Sequence, residues 1–135
     1  MTSKLLSVSG IIHYDKKTNK VVANISPDFI RYYRSLVPKY YGVNPPKYPS
    51  HCSIVRNEVV DQLSPEWGKR EGEKVRIFYK PEILSDKSDV YWWVDAWCDV
   101  FCNLRVELGL PAFRLKSGNR DGDRFHITIG NTKNK

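Results

Sequence analysis

Residues 125–130, which read FHITIG, alternate strictly between apolar and polar side chains, and this pattern constrains the fold more than any other feature of the chain. Side chains two positions apart in a β-strand point to the same face of a sheet. His126 and Thr128 would therefore share one face, while the apolar residues around them would form a row on the opposite face. The pattern predicts a strand with a hydrophobic core behind it and a polar pair in front.

A second segment repeats this arrangement in the first half of the chain. Residues 51–55 read HCSIV, so His51 and Ser53 would project together from a strand while Cys52 projects the other way. Each H-x-[ST] tripeptide is a weak signal by itself. The two tripeptides nevertheless occupy equivalent places in the two halves, and they use two of the three histidines in the chain. The repetition indicates that both pairs belong to one site.

The remaining sequence predicts a small α+β protein. A helix is expected to begin at Pro27, with Ser26 as its N-cap, and to end near Pro38. A second helix is expected over residues 99–110, and the polar stretch 61–73 is expected to be a loop. Strands are predicted at residues 5–14, 20–25, 52–56, 75–79, 89–97, 113–116 and 124–130, the last two as a closing hairpin.

Composition limits the classes of function. The 135 residues, 41% of them apolar and 27% charged, predict a single domain over 1–135 that can bury a core. Lys and Arg number 22 against 15 acidic residues, and the resulting net charge of +7 favours an anionic partner. No stretch approaches the roughly 20 apolar residues of a membrane helix, and the three cysteines lack the spacing of a zinc site. We therefore expect a cytoplasmic protein with no membrane association, and nothing indicates an obligate protein partner.

Two imidazoles and two hydroxyls around one point suit the cleavage of a phosphodiester. One histidine can take a proton while the other gives one to the leaving oxygen, because imidazole titrates near neutral pH. The hydroxyls can donate hydrogen bonds to the phosphate oxygens, where negative charge builds up in the transition state. This chemistry needs neither a metal ion nor a cofactor. The predicted catalytic residues are His51, Ser53, His126 and Thr128.

These segments resemble the 2H phosphoesterases, a family defined by two H-x-[ST] motifs on a two-lobed, LigT-like α+β fold. The resemblance implies antiparallel sheets around a central groove, a helix outside each lobe, and chemistry on 2′,3′-cyclic phosphates or RNA-type linkages. The short chain, the prolines before the first motif and the segment WGKREGE at 67–73 look similar to the compact phage branch. That branch includes anti-CBASS phosphodiesterases that hydrolyse cyclic oligonucleotides, so this resemblance implies an enzyme acting in the host bacterial cytoplasm.

The chain departs from the family pattern at two positions. Ser50 precedes the first histidine where the family prefers an apolar residue, and Ser53 replaces the commoner threonine. Neither departure removes a catalytic group. In the family, one histidine is the base toward a ribose 2′-hydroxyl or a water, and the other is the acid toward the leaving oxygen. The resemblance favours His51 as base and His126 as acid, although the symmetry of the motifs leaves the reverse assignment open.

Further residues are candidates for contact with the substrate. Trp67 could stack on a base while Lys69 and Arg70 meet phosphate, or it could simply anchor its loop by packing. Tyr14, in the first strand, could place its ring near the groove. Three tryptophans in an apolar run are expected to belong to the core: Trp92, Trp93 and Trp97. Basic residues around the second motif could attract an anion or lie on a solvated surface: Arg114, Lys116, Arg120 and Arg124.

Three functions remain open at this point. The first is a phosphodiesterase for cyclic di- or oligonucleotides. The second is an RNA 2′,3′-cyclic phosphodiesterase or RNA end-processing enzyme, which should carry a longer basic track for the strand. The third is a non-catalytic module that binds nucleotides.

Overall fold

The computed structural model describes residues 4–46, 50–113 and 124–133. The strands are β1 (Leu6–Asp15), β2 (Lys20–Ile25), β3 (His51–Val55), β4 (Lys74–Tyr79), β5 (Leu84–Ser85), β6 (Tyr91–Trp97) and β7 (Phe125–Asn131). The α-helices are α1 (Pro27–Ser35) and α2 (Asp99–Glu107), and a short 3₁₀ helix covers Lys39–Tyr41.

All strands belong to one antiparallel sheet with the order β4-β1-β2-β3-β7-β6-β5. An additional pairing joins β4 to β6, with Phe78 opposite Trp97 and Tyr79 opposite Ala96. This pairing closes six of the strands into a barrel and leaves β5 as an appended edge strand. The α+β class predicted from the sequence is confirmed.

Two segments of the fold have the same construction. In each, a strand leads into a helix and the chain returns as an antiparallel neighbour of that strand. The first half-unit is β2–α1–β3, and the second half-unit is β6–α2–β7. They meet where β3 pairs with β7, so the two motif-bearing strands are neighbours at the centre of the sheet.

One face of the sheet, here called the core face, carries a continuous hydrophobic cluster. Ile12, Ile77 and Ile127, from strands β1, β4 and β7, are completely buried in it. Ile30 from α1 and Phe101 from α2 join the same cluster. The opposite face, here called the open face, carries the partly exposed residues of the motif strands. The alternation predicted for the two motif strands is confirmed.

Helix α1 begins as its sequence indicates. The Ser26 hydroxyl accepts a hydrogen bond from the backbone N–H of Asp28 at 3.3 Å, and Pro27 occupies the first turn. The helix is attached to β4 through a hydrogen bond of 2.7 Å between the buried hydroxyls of Tyr33 and Tyr79. Burial, together with that hydrogen bond, raises the pKa of Tyr79.

Helix α2 is attached by a buried ion pair. The Arg105 side chain is completely buried and bonds both carboxylate oxygens of Glu58, at 2.7 and 2.8 Å. It also donates to the carbonyl oxygens of Ile54 and Pro111, at 2.9 and 2.8 Å. These bonds hold α2 against the end of β3. The helix then ends before Gly109, whose φ of 83° is the left-handed conformation that glycine adopts easily.

Most predicted elements lie within a few residues of the observed ones, and the polar stretch 61–73 forms turns. Two differences concern strands. The short strand β5 was not predicted, because two residues carry no period that a pattern can reveal. The expected closing hairpin is not seen in the described residues, where β7 has β6 and β3 as its neighbours. Its other strand, 113–116, falls mostly in 114–123, outside the described residues.

No helix in the described part of the chain is long and apolar enough to cross a membrane.

Candidate functional site

The two H-x-[ST] motifs lie side by side in the sheet. Strands β3 and β7 are antiparallel, and their register aligns Cys52 with Ile127 on the core face. The residues next to this pair in each strand point to the opposite face, so the motif side chains share the open face. Continuing the antiparallel register by one residue in each direction brings His51 towards Thr128 and Ser53 towards His126. These four residues are called the motif site below.

The motif site is open to an incoming ligand. Its four side chains are partly exposed, whereas the residues between them, Cys52 and Ile127, are completely buried. The two histidines are diagonal neighbours, and such residues have Cα atoms roughly 7–8 Å apart, within reach of long side chains. A phosphate group placed between them can contact one imidazole on each side and a hydroxyl at each flank.

Strand β6 supplies two further residues to the second histidine. Asp95 lies opposite His126, and Trp93 lies opposite Thr128. The carboxylate Oδ1 of Asp95 is 3.5 Å from the imidazole Nε2 of His126, which is within ion-pairing distance. The Trp93 ring lies 5.2 Å from the imidazole, tilted by 32°. His126 is therefore flanked by a carboxylate and an indole.

The carboxylate of Asp95 is held firmly in place. It is only 6% exposed, although aspartate is normally a surface residue. The indole N–H of Trp93 donates to its Oδ1 at 3.1 Å, and Arg124 donates to its Oδ2 at 3.1 Å. A buried charge is tolerated only where it is paired and hydrogen-bonded, as it is here. The negative charge beside His126 is thus fixed, though partly offset by Arg124.

The sequence patterns did not identify Asp95 or Trp93 as residues of the site. Trp93 is 9% exposed, as expected of a core residue, but it covers the imidazole from the open-face side of β6. A signal for Asp95 was present, because it is the single charged residue in the otherwise apolar strand YWWVDAW. A charge in such a strand needs a partner, and the partners lie on β7 and next to it.

Strand β2 occupies the corresponding position beside the first histidine. Asn24 lies opposite His51, and Val22 lies opposite Ser53. Asn24 is exposed, in contrast to the buried Asp95. The neighbour of His51 on this strand is therefore a neutral amide in contact with solvent.

Three of the four residues predicted to bind substrate lie in a separate cluster. Tyr14 is 6% exposed on the core face, and its ring meets that of Trp67 edge-on at 5.1 Å. The Tyr14 hydroxyl accepts a hydrogen bond of 3.3 Å from the backbone N–H of Arg70. Burial raises the pKa of Tyr14, and the hydrogen bond from Arg70 acts against that effect. These contacts attach loop 61–73 to the core, and the structure does not bring the cluster to the motif site.

The cations of the same loop are paired with carboxylates. Arg70 donates to Glu107 through Nε at 3.1 Å, and a second bond links its Nη2 to the same carboxylate. This hydrogen bonding lowers the pKa of Glu107. Lys69 pairs with Glu66 at 3.1 Å on the exposed surface. The third histidine of the chain, His13, lies on the open face of β1 and pairs with Glu71 at 3.0 Å.

Within 4–46, 50–113 and 124–133, no group of three or more His, Cys, Asp or Glu side chains is arranged to hold a metal ion. Three of the flanking cations, Arg114, Lys116 and Arg120, fall outside the described residues. Comparisons with protein families, with curated proteins and with solved structures found no match for this chain.

Proposed function

We propose that the protein is a metal-independent phosphodiesterase of the 2H type, in which His51 and His126 perform acid–base catalysis. One observation carries the proposal: the two H-x-[ST] motifs occupy adjacent antiparallel strands with all four polar side chains on one open face. The two half-units that meet at β3 and β7 support the two-lobed architecture that the resemblance to the 2H family implies.

The reaction follows from the arrangement of the motif site. His51 removes the proton from a ribose 2′-hydroxyl, and the resulting oxygen attacks the adjacent phosphorus. The bond between phosphorus and the 5′-oxygen of the next nucleotide breaks, and His126 donates a proton to that oxygen. The products are a 2′,3′-cyclic phosphate and a free 5′-hydroxyl. Ser53 and Thr128 donate hydrogen bonds to the non-bridging oxygens as negative charge accumulates there.

The surroundings of the two histidines support this division of roles. The fixed carboxylate of Asp95 stabilises a positively charged imidazole, which is the form that an acid must have before reaction. The cross-strand neighbour of His51 on β2 is instead the exposed, neutral amide of Asn24. The histidine beside the carboxylate is thus better suited to be the acid, and the other is better suited to be the base.

The proposed substrate is a cyclic di- or oligonucleotide, and the proposed setting is a phage enzyme that destroys a host signal in the bacterial cytoplasm. The net charge of +7 supports an anionic substrate. The choice of a cyclic oligonucleotide rests on the resemblance of the motifs and of residues 67–73 to the compact phage branch of the 2H family.

The proposal is tested by incubating the protein, with EDTA present, with cyclic dinucleotides, cyclic trinucleotides and RNA ending in a 2′,3′-cyclic phosphate. We expect turnover of a cyclic oligonucleotide, detected by chromatography, and its loss in His51→Ala and His126→Ala. His13→Ala is the matched control, since it removes the third histidine from the same face of the sheet and should retain activity.

The outcomes separate the three functions. Turnover of RNA ends alone would establish RNA end processing instead. Binding of the nucleotides without any product would leave a binding module. A substrate lacking the reacting 2′-hydroxyl should bind without being cleaved, and its cleavage at the normal rate would point to attack by water.

A further inference from the structure

A cleft of about 440 Å³ opens beside His51, between helix α1 and the ends of strands β2 and β3. We call it the α1 cleft. Asn24 and Ser50 contribute to its lining, and both adjoin the motif site. Asn24 is the cross-strand neighbour of His51, while Ser50 directly precedes it. The α1 cleft therefore reaches two residues that flank His51, at one end of the motif site.

The outer wall of the α1 cleft is built on strand β7. Asn44 exchanges two backbone hydrogen bonds with Asn131, at 2.8 and 3.1 Å, which fixes the chain just before Pro45 and Pro46. This crossing requires a glycine at position 130, because a Cβ there would lie 2.4 Å from Val43 Cγ1. The proline rings restrict φ at both positions, which limits the conformations open to this wall. The structure thus holds an apolar surface beside the site.

The inner wall of the α1 cleft is lined by two basic residues of helix α1, Arg31 and Arg34. Arg31 bonds Asp28 at 2.7 Å on the exposed surface of the helix. Among the described residues, no hydrogen bond or ion pair engages the Arg34 side chain. A guanidinium presents paired donors that match the oxygens of a phosphate. The α1 cleft therefore combines an apolar wall with a cation available for an anion.

We infer that the α1 cleft binds a second nucleotide unit of the substrate, with Arg34 on its phosphate and its base or ribose against Pro45 and Pro46. The inference rests on the proposed function, because it assumes that a substrate bound at the motif site continues past His51 into the α1 cleft. The volume lies within the range of small-ligand sites, roughly 300–1,000 Å³. A substrate of more than one nucleotide, with more than one phosphate, would occupy both places.

The test compares two substrates in Arg34→Met, which keeps the aliphatic stem and removes the charge. Cyclic triadenylate has nucleotide units beyond the scissile one, whereas adenosine 3′-(4-nitrophenyl phosphate) has none. We expect KM for cyclic triadenylate to rise about tenfold, which corresponds to the loss of one charge-assisted hydrogen bond. The change in KM for the one-nucleotide substrate should be much smaller. Arg34→Lys should give an intermediate rise, and Lys87→Met controls for the loss of one positive charge on an exposed turn.

An equal change for the two substrates, or no change for either, would overturn the inference. If the wild-type protein cleaves neither of these substrates nor any cyclic dinucleotide, the proposed function fails, and calorimetric binding of cyclic triadenylate then tests the α1 cleft separately. Binding weakened about tenfold in Arg34→Met, but unaltered in Lys87→Met, would support the α1 cleft in a protein without catalysis. Binding equal to wild type in Arg34→Met would overturn it.

Discussion

The two half-units place a histidine at the same point of the sheet but surround it differently. In the first half-unit, the cross-strand neighbour of His51 is the exposed amide of Asn24. In the second half-unit, the neighbour of His126 is the buried carboxylate of Asp95. The motifs are nearly symmetric in sequence, and the strands outside them are not. Two chemically identical groups acquire different roles when their surroundings favour different protonation states.

The largest effect should appear when the leaving group is varied. A 4-nitrophenolate ion leaves without receiving a proton, so a general acid contributes little to its departure. We expect His126→Ala to retain most of the wild-type rate on adenosine 3′-(4-nitrophenyl phosphate), but to lose about 10²–10⁴-fold on a substrate whose leaving group is a ribose 5′-oxygen. His51→Ala should lose a similar factor on both substrates. Steady-state kinetics on the two substrates measures the difference.

The opposite pattern in these variants would exchange the two roles. Equal losses on both substrates in both variants would mean that neither histidine is specialised as the acid. His13→Ala should match the wild-type rate on both substrates and serves as the control.

The motif site itself could be predicted because its signal is local. An H-x-[ST] tripeptide in a strand determines which side chains share a face, and that depends only on a period of two residues. Tyr14 shows how the same rule limits a prediction. Tyr14 follows Ile12 by two positions, so both side chains point to the core face, whereas His13 between them points to the open face. Applying the two-residue period of a strand to β1 would therefore have placed the Tyr14 ring on the face opposite the motif site.

The role of Asp95 could not be predicted, because it depends on which strands pair. Its contact with His126 exists only because β6 and β7 are neighbours, and residues 98–124 separate these strands in the chain. Nothing local to either segment specifies that pairing. The α1 cleft depends in the same way on the crossing of residues 43–44 over Gly130. The pairing of strands that are distant in the sequence could therefore not be predicted from patterns within this one sequence.

The two half-units hold their helices by different contacts, an ion pair for α2 and a hydrogen bond between two hydroxyls for α1. Arg105→Met should lower the free energy of unfolding by about 3–5 kcal/mol, because it removes the buried cation that bonds both carboxylate oxygens of the partly buried Glu58. Tyr33→Phe, which removes one hydroxyl from the bond between α1 and β4, should cost only about 1 kcal/mol. Urea unfolding of both variants measures the difference.

A double variant completes this comparison of the helices. Arg105→Met with Glu58→Met removes both charges and should be more stable than Arg105→Met alone. A loss in Arg105→Met no greater than that in Tyr33→Phe would mean that the ion pair does not anchor α2 as described.

The third and smallest expected effect comes from exchanging the neighbours of the two histidines. Asp95→Asn removes the carboxylate charge that stabilises a positively charged His126 imidazole. On a substrate whose leaving group is a ribose 5′-oxygen, we expect kcat to fall by about tenfold with KM changing little, while the rate on adenosine 3′-(4-nitrophenyl phosphate) stays close to that of the wild type. Asn24→Asp places a carboxylate beside His51, favours the charged form of that imidazole and should lower kcat on both substrates, since the base must be neutral. If Asp95 merely supported the packing of Trp93 and Arg124, its replacement would lower stability, or lower the rate on both substrates by the same factor.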